Sequence, residues 1–282
     1  MPASPIFALN HMVAPRRSSL DLMQLARSLG LDRIEIRNDL PGVAMHDGTP
    51  AAQVRREAEQ TGVAILSINA LQRFDAWNDA LALEAAALAA YARDCGAAAL
   101  VLCPTNAVDD LRGDTRRRDD LRTALRELMP ILSDCGVRGL VEPLGFAECA
   151  LRRKRDVANA IEAVGGDGAF SIVHDTFHHF VASEQESFPE LTGLVHISGV
   201  ENPALARADM RDMHRVLVGE ADVLGNVEQI RTLLRGGYAG PLSFEPFAAQ
   251  VHALADPSDA LRESMAAICT GLDGHTGLDG QT

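Results

Sequence analysis

The chain has 282 residues, 47% hydrophobic and 23% charged, with a formal net charge of −13. That suits one large α/β domain with a sizeable core, filled mainly by Ala, Leu and Val because aromatics are only 4%. The acidity argues against a nucleic-acid partner, which needs a basic footprint. The cysteines, Cys95, Cys103, Cys135, Cys149 and Cys269, are odd in number and include no Cys-x-x-Cys, which argues against a disulfide framework or a cysteine zinc site and fits a reducing cytoplasm.

The N-terminus, Met-Pro-Ala-Ser-Pro-Ile-Phe-Ala-Leu, lacks a basic start and a long apolar stretch, so it reads as a first strand, Ile6–Leu9, rather than a signal peptide. Leu20, Leu22, Met23, Leu25, Ala26 and Leu29 then form an apolar helical face that Gly30 stops. Strands are predicted at Arg33–Ile36 and Ala64–Ile68. An Ala- and Leu-rich helix from Leu81 to Cys95 ends at Gly96, before strand Ala99–Leu102. A helix from Asp119 to Cys135 ends at Gly136, before strand Arg138–Glu142. Strands Phe170–His174 and Leu194–Ile197 follow. The segment from Ser198 to Asp222 is the longest irregular piece, and such loops in compact domains are functional or disordered. Helix Val227–Leu234 ends at Gly236-Gly237, and Leu242–Glu245 is the eighth strand. The tail, Gly271 to Thr282, repeats Gly-Leu-Asp-Gly and is expected to be disordered, which leaves residues 1–270 as the folded domain. No segment approaches the roughly 18 apolar residues of a membrane span, so no membrane partner is expected.

Strands alternating with glycine-stopped helices imply a parallel sheet. Eight repeats favour closure into a single-domain (β/α)8 TIM barrel, and no Gly-x-Gly-x-x-Gly follows the first strand to suggest a dinucleotide site. Active sites of such barrels lie at the C-terminal strand ends. Four consecutive runs stop there on metal-type ligands: Gly-Leu-Val-Glu142, Ser-Ile-Val-His-Asp175, Gly-Leu-Val-His196 and Pro-Leu-Ser-Phe-Glu245. A carboxylate at a buried strand end is costly unless paired. Any one of these groups alone is ordinarily a salt-bridged or core residue; four together point to one shared divalent cation. Three carboxylates and an imidazole suit Mn²⁺, Mg²⁺, Co²⁺ or Zn²⁺.

These residues resemble the xylose-isomerase-like superfamily of sugar isomerases and epimerases, most closely the 2-keto-myo-inositol (inosose) isomerases. The resemblance rests on Glu142 in Val-Glu-Pro-Leu-Gly, Asp175 and His178 in Asp-Thr-Phe-His, His196 in Val-His-Ile-Ser, and Glu245. Ile34-Glu35-Ile36-Arg37, Asn69-Ala70-Leu71 and Arg215-Val216-Leu217-Val218-Gly219 support it, and it covers about residues 5–270. It implies that Glu142, Asp175, His196 and Glu245 hold the metal, and that Glu142 and Glu245 also pass the proton of a keto-sugar or inosose substrate through a metal-stabilised enediolate. It implies substrate contacts for His178 and Arg215. The loop departs from the relatives' Gly-x-Gly, reading Gly219-Glu220-Ala221-Asp222, which puts the placement of Arg215 in doubt.

Further residues complete the expected pocket. Glu35, Asn69 and Trp77 join the substrate-binding set, with Asn10 and His11 as further lining and Arg37 alternating with Glu35 on one strand. An internal ion pair for Glu35 and Arg37, and a packing role for Trp77, are the competing readings. His174 should point to the opposite face from Asp175, and His179 has no assigned role. The basic clusters Arg116-Arg117-Arg118 and Arg152 to Arg155 read as solvated helix surfaces rather than phosphate sites. Competing functions are an inosose dehydratase on the same site, an apurinic-endonuclease-like hydrolase, and a non-catalytic sugar-binding barrel. A homo-oligomer is compatible with all of them.

Overall fold

The structure is a computed structural model that describes residues 5–40 and 48–274. Its strands are β1 (Ile6–Asn10), β2 (Arg33–Arg37), β3 (Ala64–Gln72), β4 (Ala99–Cys103), β5 (Arg138–Val141), β6 (Phe170–Asp175), β7 (Thr192–Ile197) and β8 (Pro241–Phe244). They close in sequence order into one parallel barrel. The helices are α1 (Ser19–Ser28), α2 (Ala51–Thr61), α3 (Asp79–Cys95), α4 (Asp114–Cys135), α5 (Lys154–Val164), α6 (Thr176–Val181), α7 (Asn226–Arg235), α8 (Ala249–His252) and α9 (Ser258–Asp273). The expected (β/α)8 barrel is therefore the observed one.

Local chemistry explains the element ends. Ser18 and Asp21 form a capping box at the start of α1. The Asn78 side chain accepts the Ala80 and Leu81 N–H groups at the start of α3. Gly96 and Gly136 end α3 and α4 at φ values of 84° and 65°, which a side chain would strain. The last helix continues to Asp273, so residues 271–273 of the expected disordered tail are helical, and residues 275–282 lie outside the described set.

Alternation along the strands sorts the core into two layers. Outward residues such as Ile34, Ile36, Ile172, Val195 and Ile197 pack with helix residues including Leu22, Leu125 and Ile230. Inside the barrel a smaller apolar plug of Ala99, Val101, Leu140, Val173 and Leu194 fills the interior. Above it the inward positions turn polar. The register sets Asn10 beside Glu35. It also sets Asp175 beside His196, and His196 beside Ser243. That is what brings the chemistry to the C-terminal mouth.

The loop between β7 and α7 is tied down rather than free. Gly199 and Val216 form an antiparallel bridge, and Asp222 accepts the N–H groups of Val200, Leu224 and Asn226. Helix α6 lies directly on Gly145: a Cβ there would come within 2.3 Å of the His178 carbonyl oxygen. This contact explains the glycine in Glu142-Pro143-Leu144-Gly145.

Candidate metal centre

His196 sits at the centre of the polar layer and is fully buried. Its Nδ1 is 2.9 Å from Glu142 Oε1, 3.3 Å from Glu245 Oε2 and 4.0 Å from Asp175 Oδ2. One ligand atom from each of Glu142, Asp175, His196 and Glu245 lies within 4.8 Å of all the others. On the opposite edge of the ring, Nε2 is 3.1 Å from Glu35. Burial opposes a charged imidazole, but Glu245, Glu35 and Glu142 outweigh it and raise the His196 pKa well above its ordinary value.

Two arginines complete the layer. Arg215 Nη2 donates to Asp175 Oδ2 at 2.6 Å and to Glu245 Oε2 at 2.9 Å, while its Nε donates to Ser198 Oγ at 3.0 Å. Its guanidinium is packed between the Phe177 and Phe247 rings. Arg37 Nη1 donates to Glu245 Oε1 at 2.8 Å, and its other edge meets Asp39 in a two-bond fork. Burial alone would raise the Glu245 pKa; His196, Arg215 and Arg37 reverse that and hold it below the usual carboxylate range.

The donor set fits a divalent cation. With His196 neutral, the buried carboxylates Glu35, Glu142, Asp175 and Glu245 exceed the buried guanidinium groups Arg37 and Arg215 by two charges. Without an ion, the imidazolium offsets only one of them. Nδ1 faces three carboxylates, which is the lone-pair direction a cation needs. Nε2–H is anchored on Glu35, the carboxylate that fixes ring orientation in histidine-ligated sites. Asp175 is pre-oriented because its Oδ1 accepts the His178 N–H at 2.9 Å as the cap of α6.

The structure sorts the other expected residues. Asn69 belongs to the cluster, its Nδ2 lying 3.4 Å from Glu245 Oε1. Asn10 also belongs, donating to both Glu35 and Glu245 at 3.2 Å. His178 is buried edge-on to Phe146 and Phe177, and its Nδ1 has no hydrogen-bond partner among the described residues. Arg215 reaches the site despite the altered loop. Glu35, expected at the substrate, has its oxygens engaged by Ser67, Ser243, Asn10 and His196 and lies against the Nε2 edge of the imidazole. The ion-pair alternative is corrected, because Arg37 pairs with Glu245, not Glu35. Trp77 is half buried and packs against the outer apolar core. His11 donates from Nε2 to the Arg17 carbonyl at 2.8 Å. His174 faces outward as expected, 3.0 Å from Gln229 of α7. Ser67, Ser243, Ser198 and Cys103 were not anticipated. Ser243 and Ser67 lie two residues before Glu245 and Asn69, so stepping back along the inward face would have found them.

A family model described as xylose isomerase-like TIM barrel matches residues 23–270. No curated protein sequence matches significantly. A xylose isomerase domain-containing protein from Salmonella typhimurium LT2 superposes with a TM-score of 0.87 at 29% identity, covering 95% of this chain and 98% of its own. The IolI protein, solved with a bound zinc atom, superposes with a TM-score of 0.82 at 18% identity, covering 96% and 99% of the two chains. D-Psicose 3-epimerase from Clostridium cellulolyticum H10, solved with D-tagatose, gives 0.69 at 14% identity, covering 95% and 97%. The last two likenesses concern the fold. With the closed barrel and the buried cluster already described, the family match establishes that this chain belongs to the xylose isomerase-like TIM barrel family.

Proposed function

We propose that the chain is a divalent-metal-dependent isomerase or epimerase of a keto-sugar or keto-inositol (inosose). The observation that carries this is the convergence of Glu142, Asp175, His196 and Glu245 at the barrel mouth, where the buried carboxylates exceed the buried arginines by two charges when His196 is neutral. A cation there would supply Lewis-acid stabilisation of the negative charge that develops when a proton leaves the carbon next to a carbonyl. Structural relatives that bind zinc or are named as sugar 3-epimerases add support at the level of fold.

Glu142 takes the proton in this reading. Among the described residues no arginine hydrogen-bonds to it; its oxygens meet His196 Nδ1 and the Cys103 thiol. Glu245 has an arginine on each oxygen and is the second proton carrier, active once a substrate oxygen draws Arg215 away from it. His178 offers its unpartnered ring nitrogen to a substrate oxygen, and the Phe146 and Phe177 rings fix its orientation. The buried surroundings strengthen each of these contacts by excluding water.

The test is proton NMR in D₂O with a panel of ketoses and inososes and Mn²⁺-loaded protein. Deuterium should enter next to the carbonyl of one substrate, with a shifted carbonyl or an inverted centre; a diketone product would assign a dehydratase instead. EDTA should abolish exchange and Mn²⁺ restore it. Glu142→Gln, shown to be metal-loaded, should lose about 10²-fold or more of turnover. Exchange that survives metal removal, or a metal-loaded Glu142→Gln with near-normal turnover, would overturn the assignment.

A further inference from the structure

The two arginine clusters, distant in sequence, meet in the fold. A cavity of about 260 Å³ between the start of α4 and the segment joining β5 to α5 is lined by Arg117, Arg118, Arg152 and Arg153. Both segments follow the C-terminal ends of their strands, so the cavity lies on the same face of the barrel as Glu142. The loops are stitched together: Asn106 bridges Cys149, and Ala150 N–H donates to the Thr105 carbonyl at 2.8 Å.

The cavity carries arginines with few partners. The Arg118 and Arg153 side chains have no hydrogen bond or ion pair among the described residues. Arg152 donates only to the Gly145 carbonyl, a neutral acceptor, so its charge is uncompensated. The Arg117 Nε is buried and lies 3.3 Å from Asp110 without alignment to donate to it. Three carboxylates also line the cavity. Asp75 is neutralised by Arg112 at 2.7 Å and Arg117 is ion-paired with Asp110 at 3.3 Å, which leaves Asp114 and Asp156 against Arg118, Arg152 and Arg153, an excess of one positive charge. By contrast, a larger groove of about 870 Å³ along α7 and α9 is lined by Glu201, Glu220, Asp222 and Glu263 with no basic side chain. In a chain of net charge −13, a concave arginine-rich site is selective for anions by local field rather than overall attraction. The first turn of α4 adds backbone donors, since Gly113 caps it without a side chain.

We propose that this cavity binds a phosphate monoester. Guanidinium groups match tetrahedral oxyanions through paired N–H donors, and the volume holds a phosphate with a few carbons attached. The phosphate belongs either to the barrel's own substrate, an alternative that rests on the isomerase reading above, or to a separate phosphorylated effector.

Calorimetric titration of the metal-loaded protein with inorganic phosphate, at ionic strength held constant with chloride, tests the site without any turnover. Saturable binding is expected, and Arg118→Ala and Arg153→Ala should each weaken it about tenfold, the loss of a charge-assisted bond. Both side chains are exposed, so the fold should survive their removal. Substrate phosphate is then distinguished by kinetics: the two variants raise KM for a ketose phosphate ester and leave the unphosphorylated ketose unchanged. An effector is distinguished when inorganic phosphate alters turnover of the unphosphorylated ketose in the parent protein but not in the variants. Absence of phosphate binding, or binding that survives both substitutions and so lies elsewhere, would overturn the proposal, while leaving the isomerase reading untouched.

Discussion

Glu35→Gln isolates the part of the centre that does not touch the ion. Glu35 is fully buried and sits 3.1 Å from His196 Nε2, on the edge of the ring away from Glu142, Asp175 and Glu245. Glutamine has the same shape. Its amide oxygen, in place of Oε2, still accepts the ring N–H and the Ser67 hydroxyl; its NH₂, in place of Oε1, donates to Ser243 Oγ, and Asn10 loses one of its two acceptors but keeps Glu245. What disappears is the negative charge that raises the basicity of the imidazole. Outer partners of this kind contribute about 10- to 100-fold in metal affinity, which corresponds to about 1.4–2.7 kcal/mol. Competition against a chelating dye should therefore show Kd for Mn²⁺ or Zn²⁺ weakened within that range, with an unchanged circular dichroism spectrum. A folded variant whose metal Kd stays within about twofold of the parent would refute the role. If KM rose while metal affinity stayed the same, Glu35 would be a substrate contact after all.

Metal binding should also release protons. The His196 pKa in the metal-free protein is raised well above its ordinary value, because three carboxylates outweigh burial. At pH 7 the ion must then displace about one proton, countable by calorimetry in buffers of different ionisation enthalpy; no release would contradict the ligand assignment. In the same metal-free state His196 contributes its stabilisation fully below about pH 6.5 and loses it as pH rises through the raised value, so melting temperature should fall on the alkaline side. His178→Ala should keep its metal and lose about 1.5–3 kcal/mol in kcat/KM on the true substrate; loss of metal would instead make His178 a ligand. Arg215→Ala removes the buried arginine that Asp175 and Glu245 share, leaving Glu245 only Arg37 and His196, and should cost about 3–5 kcal/mol in denaturant stability of the metal-free protein. A cost below about 1 kcal/mol would show that solvent reaches those carboxylates.

The barrel and its four converging strand ends were legible in the sequence because both are periodic signals. Glycine-stopped helices alternating with short apolar runs specify βα units, and parallel strands ending on Glu142, Asp175, His196 and Glu245 have only one place to put those groups. Local patterning also placed His174 on the outer face, since neighbours on a strand point opposite ways. What the sequence does not carry is partnership across strands. Glu35 lies on β2 and His196 on β7, and only the closed barrel sets Glu35 against the Nε2 edge of the ring. Arg37 looked like the natural mate of Glu35 two residues away, yet the register delivers it to Glu245. Trp77 follows a strand that feeds the site but turns into the outer core. The arginines of α4 and of the segment after β5 read as two separate solvated runs until the fold brings them to one cavity. Backbone periodicity is a local property and is written along the chain. Which buried charge meets which is decided by strand register and barrel closure, because burial makes each charge depend on neighbours that only tertiary structure supplies.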